Sequence, residues 1–297
     1  MEERPFGKTG YSFPILSFGA QRIVDSQGCS QETALRMVNH ALDQGIRYFD
    51  TAWIYSEGQS EERLGMVAKH RRKEMWIATK VWARGQAQAR RQLEESLRRL
   101  QTDYVDEWRL HSVSSTDELN KLTAPRGALQ AAIKAKQEGL VRFISISGHV
   151  NPQIQVEALR RFPFDSVLCA LSVLDHFILS FAEELVPAAQ AKGVAVVGMK
   201  VMGLGRLNHI YDRALRYTLG LPVSTAIVGM ETMEQLERNL NVARDFQPLT
   251  DTERLQLFQE VLPMVRPETV PWKAGDWSNP VAWEQRTSIR DIVRYWE

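Results

Sequence analysis

The stretch GIRYFDTAWIYSEGQSEERLG, residues 45–65, contains the pattern that decides the fold. Its run Ile46–Asp50 is short, rich in β-branched and aromatic residues, and typical of a buried strand. An aspartate ends this run, and Tyr55 follows in a segment that predicts a loop. The segment SEERLGMVAKH, which begins at Ser60, then has the apolar spacing of an amphipathic helix. The stretch therefore predicts a strand, a loop with polar side chains and a helix, in that order.

This order of strand and helix recurs along the chain. We predict strands near Ile15–Gly19, Ile46–Asp50, Met75–Lys80, Val105–Leu110, Val141–Ser147, Phe164–Ala170, Val194–Met199 and Thr225–Val228. Their starts are roughly 23 to 36 residues apart, which is the length of one strand, loop and helix. Between them lie helical patterns such as RRQLEESLRRL, in which Leu93, Leu97 and Leu100 share one face. Eight such units favour a parallel (β/α)8 TIM barrel, an α/β fold, over a doubly wound sheet, although periodicity alone leaves both open.

Further segments lie outside the eight units, at both ends of the chain. RPFGKTGYSFP, residues 4–14, predicts a small N-terminal β-hairpin with Gly7 and Gly10 at its turn. Residues 246–297 form a C-terminal tail with several prolines and four tryptophans: Trp272, Trp277, Trp283 and Trp296. No linker-like stretch divides the chain. We therefore predict one barrel domain over residues 1–297, with the tail packing on or near the barrel.

Length and charge restrict the class of protein. A chain of 297 residues with 44% hydrophobic residues can form one large domain with a substantial core. Its 37 basic and 36 acidic residues give a formal net charge of +1. This balance argues against a nucleic-acid or membrane partner that is attracted by bulk electrostatics.

Cysteine, histidine and hydropathy patterns point to a cytoplasmic protein without a metal. Cys29 and Cys169 are far apart, so neither a disulfide framework nor a zinc knuckle is predicted. His176 and His209 lack metal-ligand spacing with other residues, so we expect no metal. The N-terminal MEERPFGKTG does not have the pattern of a signal peptide, and no apolar run approaches the roughly 18 residues of a membrane span.

Polar residues stand at or just beyond the ends of three consecutive predicted strands. The second strand ends in Asp50, and Tyr55 lies in the loop beyond it. The third strand ends in Lys80, and His111 follows the fourth. In a (β/α)8 barrel the C-terminal ends of the strands meet at one mouth, where the chemistry of such barrels takes place. The four side chains are therefore predicted to lie together.

Together these groups suit the reduction of a carbonyl. Hydride transfer to a carbonyl leaves an alkoxide, which needs a proton from a well-placed acid. Tyr55 is the candidate acid; a Lys80 ammonium would lower the pKa of its phenol from about 10, and Asp50 would keep Lys80 charged and oriented. His111 would donate a hydrogen bond to the substrate oxygen or assist the proton transfer. Taken singly, each residue also fits a structural role, as a solvated side chain, an ion pair or a satisfied core residue.

Longer motifs carry a resemblance to a known family. The opening stretch has an Asp-Thr-Ala-x-x-Tyr signature, preceded along the chain by RPFGKTGYSFPILSFGA. It is followed by ESLRRLQTDYVDEWRLHSV, ALQAAIKAKQEGLVRFISISGH, KGVAVVGMKVMGLGRL and AIVGMETMEQLERNL. In these motifs, over most of its length, the chain resembles the aldo-keto reductases. The resemblance implies a (β/α)8 barrel that reduces aldehydes and ketones with a nicotinamide cofactor, usually NADPH.

The resemblance also implies roles for individual residues. The catalytic tetrad of the family falls on Asp50, Tyr55, Lys80 and His111, with Tyr55 as the proton donor. Trp82 matches an aromatic residue that lines the substrate pocket, and Trp53 is placed to do likewise; both also fit simple packing. The implied cofactor contacts are Gly19, Ala20, Gln21, Ser147, Gly148, Met199, Val201, Met202, Gly203, Gly205, Arg206, Gly229, Thr232, Gln235 and Asn239. Among these, the amides of the VMGLGRL turn are expected to face the pyrophosphate, with Arg206 as a charge partner.

The chain departs from the usual family pattern where the cofactor is held. Gly148 replaces an asparagine, and His149 beside it fits either a substitute contact or a cap for the next helix. Around Leu168–Cys169 the carboxamide-binding glutamine of many members is missing, and Met199 stands where many have an aromatic residue. Glu231 occupies a position where many NADPH users have Lys, Arg or Ser. A carboxylate near the 2′-phosphate is repulsive unless it points away, and it suits the ribose hydroxyls of NADH.

Several functions stay open on the sequence alone. We expect an NAD(P)H-dependent oxidoreductase with a small-molecule carbonyl substrate, with NADP(H) as the first choice of cofactor and NAD(H) as the alternative. A second hypothesis is a cofactor-binding regulatory or redox-sensing subunit with slow turnover. A third is a barrel of unrelated chemistry, such as an isomerase with a phosphate site after strands seven and eight. The sequence gives no prediction of the oligomeric state.

Overall fold

The computed structural model describes residues 1–266 and 268–273. Its strands are β1 (Glu3–Pro5), β2 (Ser12–Pro14), β3 (Leu16–Gly19), β4 (Tyr48–Asp50), β5 (Trp76–Val81), β6 (Val105–Leu110), β7 (Val141–Gly148), β8 (Ser166–Ala170), β9 (Ala195–Met199) and β10 (Thr225–Gly229). Its α-helices are α1 (Gln31–Asp43), α2 (Gln59–Arg71), α3 (Gln86–Leu100), α4 (Thr116–Thr123), α5 (Ala128–Gln137), α6 (Pro152–Arg161), α7 (Phe181–Gln190), α8 (Tyr211–Gly220), α9 (Met233–Arg244) and α10 (Asp251–Val261).

Strands β3 to β10 form a closed parallel barrel in chain order, and β10 pairs with β3 to complete it. All eight predicted barrel strands are present, and no end differs from the prediction by more than two residues. The predicted (β/α)8 fold is thereby confirmed, and the doubly wound alternative is wrong. Each strand pairs with a neighbour on both sides, so the barrel has no open edge.

The N-terminal hairpin of β1 and β2 is also present and closes the bottom of the barrel. Phe6 and Phe13 of the hairpin insert between Tyr48 and Trp76, with ring centroids 4.9 to 5.7 Å apart. The turn at Gly7 needs glycine, because φ is +55° there and a Cβ would lie 2.6 Å from the backbone of the loop before β9. These packed aromatic rings fill the lower end of the barrel, opposite the end where the strands terminate.

A second apolar layer lies between the strands and the surrounding helices. On α3, Leu93 and Leu100 are fully buried and Leu97 packs against the same core, as the helical spacing predicts. Among the described residues, no helix is long and apolar enough to cross a membrane.

The described part of the tail returns to the barrel. The indole nitrogen of Trp272 donates a 2.8 Å hydrogen bond to the carboxylate of Asp175, in the 3-10 turn Val173–Phe177 that follows β8. Lys200, just beyond β9, has its ammonium 5.9 Å from the Trp272 ring. The segment around Trp272 therefore docks at the end of the barrel where the strands terminate. Trp277, Trp283 and Trp296 lie outside the described residues.

Candidate active site

The predicted strand-end residues meet at the mouth of the barrel. Asp50 is the last residue of β4 and pairs with Ala78 of β5, so Lys80 lies two residues farther along the same face. The Lys80 ammonium donates to the Asp50 carboxylate, to the Thr51 carbonyl at 2.6 Å and to the Tyr55 hydroxyl oxygen at 3.2 Å. Lys80 is fully buried and Asp50 nearly so. The structure therefore brings Asp50, Tyr55 and Lys80 together, as the sequence predicted.

A strained turn holds Tyr55 over the ammonium. Tyr55 begins the 3-10 turn Tyr55–Gly58, in which Ser56 and Glu57 have φ of +46° and +57°. Residues other than glycine rarely adopt this conformation, and it persists where the surrounding structure compensates for its cost. The turn leads directly into α2. Strand β4 and helix α2 thus fix the two ends of the segment that carries the phenol.

His111 completes the group as a neutral imidazole. Its ring meets Tyr55 and Trp82 edge-on, with centroids 5.8 and 5.4 Å away. Burial, followed by the positive charge of Lys80, holds the pKa of His111 well below 6.5. A neutral ring is a hydrogen-bond donor at one nitrogen and an acceptor at the other.

The pKa of Tyr55 differs from the prediction. Burial, and then the negative charge of Asp50, raise the pKa of the phenol above its ordinary value of 10 instead of lowering it. The positive charge of Arg109 opposes this increase in the pKa of Tyr55 but does not reverse it. Burial lowers the pKa of Lys80 itself to about 8, with Asp50 opposing and Arg109 reinforcing the shift. At neutral pH the site therefore holds a protonated phenol beside an ammonium that is close to its titration point.

The sequence prediction missed two charged residues below the tetrad. Arg109 donates a 2.5 Å hydrogen bond to the second carboxylate oxygen of Asp50 and another of 2.5 Å to Glu107. Both Arg109 and Glu107 are fully buried inside the barrel. The signal in the sequence was the pair of charges at alternate positions of a strand, which places both on one face.

A cleft of about 660 Å³ extends from Tyr55 to the N-terminus of α9. The predicted residues that line it are Gly19, Gln21, Asp50, Tyr55, Met199, Val201, Met202, Gly205, Gly229, Thr232 and Gln235. Leu204, whose amide was predicted to face the pyrophosphate, also lines it. Residues that line it and carried no predicted role are Arg22, Lys200, Asn208, Tyr211, Ile227, Val228, Glu234 and Arg238. The lining residues come from the ends of β3, β9 and β10, which is where the resemblance placed the cofactor.

Some predicted cofactor contacts are arranged differently. Ala20, Ser147, Gly148, Gly203, Arg206 and Asn239 are not among the residues that line this cleft. Ser147 is buried, and its hydroxyl accepts from the Ser112 amide and donates to the Leu110 carbonyl. Beside Gly148, the Gln155 amide fills the space of the missing side chain, since a Cβ at Gly148 would lie 2.1 Å from its nitrogen. A serine contact to a carboxamide would require these bonds to rearrange.

His149 lines the cleft. The sequence left two roles for it, a substitute cofactor contact or a cap for the next helix. The cap of α6 is Asn151, whose side chain accepts from the Gln153 amide at 2.9 Å, so the capping role for His149 is wrong. Its ring Nδ1 lies 3.3 Å from the Ser112 hydroxyl oxygen. Burial and the charge of Lys200 hold the pKa of His149 well below 6.5, so this second imidazole is also neutral.

The glycine turn after β9 does not present its amides as predicted. The amide of Gly203 donates to the Lys200 carbonyl at 2.7 Å, and that of Gly205 donates to the Met202 carbonyl at 2.9 Å. The prediction that these two amides are free for a pyrophosphate is therefore wrong. The side chain of Arg206 folds back on the turn, 3.4 Å from the Gly203 carbonyl. Lys200 instead places a half-buried cation in the lining of the cleft.

The far end of the cleft suits an adenosine. Thr232 caps α9, and its hydroxyl accepts from the Gln235 amide at 3.2 Å. Asn239 is fully buried; its oxygen accepts from the Tyr211 hydroxyl at 2.6 Å, while its side-chain nitrogen has no hydrogen-bond partner among the described residues. Asn239 does not line the cleft itself, but it holds the hydroxyl of Tyr211, which does. The helix N-terminus beside it attracts phosphate.

Glu231 lines the cleft and does not point away from it. Its carboxylate accepts a 2.5 Å hydrogen bond from Arg22, so the loops after β3 and β10 are joined by an ion pair. Both side chains are about one-third exposed. The pair links residues 209 positions apart, and no local sequence signal identifies it.

The two tryptophans occupy different environments. Trp82 is exposed beside His111, at the side of the tetrad. The indole nitrogen of Trp53 donates a 2.7 Å hydrogen bond to Glu95 of α3, and Arg99 lies over its ring. Trp53 is thereby directed at the helix layer, and a contact between Trp53 and substrate stays a prediction.

Comparisons with known proteins agree with this architecture. A model described as the Aldo/keto reductase family matches residues 15–214. L-galactose dehydrogenase of Arabidopsis thaliana is 29% identical over 93% of this chain and 98% of its own length. The solved structure of aldo-keto reductase AKR11C1 from Bacillus halodurans, in its holo form, is 28% identical and has a TM-score of 0.74 over 88% of this chain and 96% of that chain.

A more distant structure resembles the chain in fold alone. An aldo-keto reductase from Klebsiella pneumoniae, solved in complex with NADPH, has a TM-score of 0.73 at 21% identity and covers 88% of this chain and 95% of that chain. The barrel, the cleft and the buried strand-end groups lie within or beside the matched region. On this evidence the chain belongs to the aldo/keto reductase family of NAD(P)-dependent oxidoreductases.

Proposed function

We propose that this protein reduces small aldehydes and ketones to alcohols, reversibly, with Tyr55 as the proton donor and NADP(H) as the preferred cofactor. One observation carries the proposal. The Lys80 ammonium joins the Asp50 carboxylate to the Tyr55 hydroxyl, 3.2 Å away, and Tyr55 lines a cleft of about 660 Å³. The family model covers the tetrad, which supports turnover over a purely regulatory role.

Different residues of the cleft would bind different parts of a dinucleotide. Tyr211, held by Asn239, and the capped start of α9 would bind the adenosine end, and Lys200 would supply positive charge along the middle. Met199 and His149 would lie beside the nicotinamide end, near Tyr55. When bound, a reduced nicotinamide supplies the hydride that the carbonyl carbon receives.

The tetrad supplies the proton and stabilises the charge. As a carbon–hydrogen bond forms at the carbonyl carbon and its π bond to oxygen breaks, the oxygen takes the proton of Tyr55. The phenolate that remains lies beside the Lys80 ammonium, which stabilises it until a proton returns from solvent. His111, neutral at physiological pH, would donate a hydrogen bond to the same carbonyl oxygen.

Turnover is expected to depend on pH through Lys80. Its pKa is lowered to about 8, so the ammonium is present below that pH and is lost as pH rises through it. We therefore expect the reduction kcat to be nearly constant from about pH 6 to 7, at least one unit below this pKa, and to fall as pH rises through 8. His111 adds no acidic limb in this range, because its pKa lies well below 6.5. A kcat that increases steadily from pH 7 to 9 would contradict this assignment.

Replacing Glu231 is expected to change the cofactor preference. Glu231→Arg removes a carboxylate that repels a 2′-phosphate, adds a guanidinium that binds one, and releases Arg22. The ratio of kcat/KM for NADPH to that for NADH should increase about tenfold or more, since 1.4 kcal/mol corresponds to a factor of ten. Glu237→Arg is the matched control, because it makes the same charge change on α9 outside the cleft lining. An unchanged ratio in Glu231→Arg would mean that the carboxylate does not sense the 2′ position.

Steady-state assays test the proposed function. NADPH and NADH oxidation would be followed with a panel of small aldehydes and ketones, alongside titration of each cofactor by fluorescence. Saturable oxidation with a subset of the carbonyls is expected. Tight cofactor binding without turnover on any carbonyl would favour the regulatory alternative instead.

The cellular location belongs to the same proposal. Cys29 and Cys169 are both free thiols within the described residues, and both are buried. Free thiols are the usual state of cysteine in a reducing compartment, which supports a cytoplasmic enzyme.

A further inference from the structure

Four ionised side chains form a continuous chain inside the barrel. The order is Lys80, Asp50, Arg109 and Glu107, so that each cation lies beside a carboxylate. Asp50 uses one carboxylate oxygen for Lys80 and the other for Arg109. Arg109 and Glu107 are both fully buried. The formal charges of the chain sum to zero.

The lower half of this chain is held by further buried groups. The Tyr48 hydroxyl accepts from Arg109 at 2.8 Å and donates to the second oxygen of Glu107 at 2.9 Å. Ser166 of β8 donates to the first oxygen of Glu107. The Arg109 charge and these donors outweigh burial, which alone would raise the Glu107 pKa, and the pKa of Glu107 lies below its ordinary value. Glu107 is therefore an anion, and Arg109 lies between the carboxylates of Asp50 and Glu107.

Stability alone does not account for this arrangement. A buried ion pair inside a protein is often no more stabilising than apolar residues of similar volume, because both charges must leave water. Neighbouring positions of the barrel interior hold apolar side chains such as Ala78, Leu168 and Val197. The feature that distinguishes Arg109 from them is its contact with Asp50, which in turn contacts the Lys80 ammonium.

We propose that Arg109 and Glu107 are positioning residues of the reduction, which fix the Asp50 carboxylate and set the proton affinity of Lys80. This inference rests on the carbonyl reduction proposed above. Arg109 prevents rotation of Asp50 by binding the oxygen that Lys80 does not use. Its positive charge also weakens the attraction of Asp50 for the ammonium, and Glu107 restores part of that attraction.

The charges around Lys80 define the sign of each effect. Lys80 contacts Asp50, Tyr55 and the Thr51 carbonyl, and the neutral rings of His111 and His149 lie on the neighbouring strand ends. Arg109 pairs with Lys80 across β5 and β6, and Glu107 is two residues behind it. Asp50 and Glu107 raise the pKa of Lys80, whereas burial and Arg109 lower it. Removing Arg109 and Glu107 together therefore removes the nearer cation and the farther anion.

Two variants are expected to move the basic limb of the kcat profile in opposite directions. The double variant Arg109→Leu, Glu107→Leu leaves the net charge unchanged. In it, Lys80 is the remaining cation of this group that binds the Asp50 carboxylate. Its limb should shift upward by about half to one pH unit. Glu107→Gln keeps the shape but leaves Arg109 uncompensated, so its limb should shift downward by a similar amount. In both variants kcat should fall about three- to tenfold while the cofactor Kd changes little, because neither residue lines the cleft.

An exposed pair of the same residue types gives the matched control. Arg90→Leu, Glu138→Leu removes the ion pair between α3 and the end of α5, on the surface. It should leave the limb in place. Limbs of both test variants that coincide with wild type, or that move in the same direction, would overturn the inference. Should the double variant not fold, Glu107→Gln decides alone, and an unshifted or upward limb rejects the inference.

Failure of this inference is distinguishable from failure of the proposed function. A wild-type protein without turnover on any carbonyl would reject the proposed reduction. A wild-type protein with turnover, together with variants of unaltered pH dependence, would reject only the role of Arg109 and Glu107.

Discussion

Tyr55→Phe is expected to reduce carbonyl-reduction turnover by about 100-fold or more and to leave cofactor affinity nearly unchanged. The hydroxyl is the acidic group at the junction of the cleft and the buried tetrad, and its pKa is raised by burial, so it is protonated at neutral pH. Phenylalanine keeps the ring that packs edge-on against His111 but has no proton to transfer. Steady-state kcat and a fluorescence titration of NADPH would separate the two effects.

The control for this variant is Tyr11→Phe. Tyr11 lies in the hairpin at the opposite end of the barrel, where its ring is exposed and its hydroxyl contacts Arg142. Its turnover should match wild type. Wild-type kcat in Tyr55→Phe would show that another group delivers the proton.

Lys80→Met is expected to reduce turnover by a similar factor, about 100-fold or more. Without the ammonium, the phenolate formed during the reaction has no adjacent cation, and the Asp50 charge opposes its formation. The basic limb assigned to Lys80 should also disappear from whatever activity is left. The kcat profile between pH 6.5 and 9.5 measures both results.

The effect of Lys80→Met on stability separates catalysis from folding. Breaking a buried ion pair usually costs about 3 to 5 kcal/mol, because one charge is left without a partner. Here Asp50 still accepts from Arg109, so we expect a loss in the free energy of unfolding of about 3 kcal/mol or less. Lys136→Met, which removes a surface ion pair with Asp165, is the control. Retained turnover in Lys80→Met, with its basic limb in place, would contradict the role of the ammonium.

The barrel and the tetrad are predictable from sequence for a common reason. Apolar runs such as Val105–Leu110 mark strands by local composition, and the strand ends converge wherever a barrel closes. Asp50 and Lys80 are 30 residues apart but occupy equivalent places in consecutive units, so chain order alone brings them together.

The rest of the site depends on contacts that chain order does not encode. Arg22 and Glu231 are 209 residues apart and meet only because β10 closes against β3. The amides of Gly203 and Gly205 are consumed by the turn that contains them, which a glycine count does not reveal. The pKa of Tyr55 depends on burial, and burial follows from packing in three dimensions.

Glu107 and Arg109 show where the strand pattern itself was incomplete. Their spacing places both on one face of β6, and a strand within a barrel has no solvent face between its neighbours. Two charges on the inward face therefore require partners inside the barrel, and Asp50 and Tyr48 supply them. The need for buried partners was therefore readable from the sequence, whereas the identity of those partners came from the structure.

Isotope transfer measures the central step most directly. The enzyme would be supplied with NADPH deuterated at C4 of the nicotinamide and with an aldehyde that it turns over, and the alcohol would be analysed by mass spectrometry and NMR. We predict one deuterium on the carbinol carbon of the product when the label is on the transferred side of C4, and loss of this product in Tyr55→Phe. Cofactor that binds tightly while no labelled alcohol forms from any aldehyde, with deuterium at either side of C4, would contradict carbonyl reduction at this site.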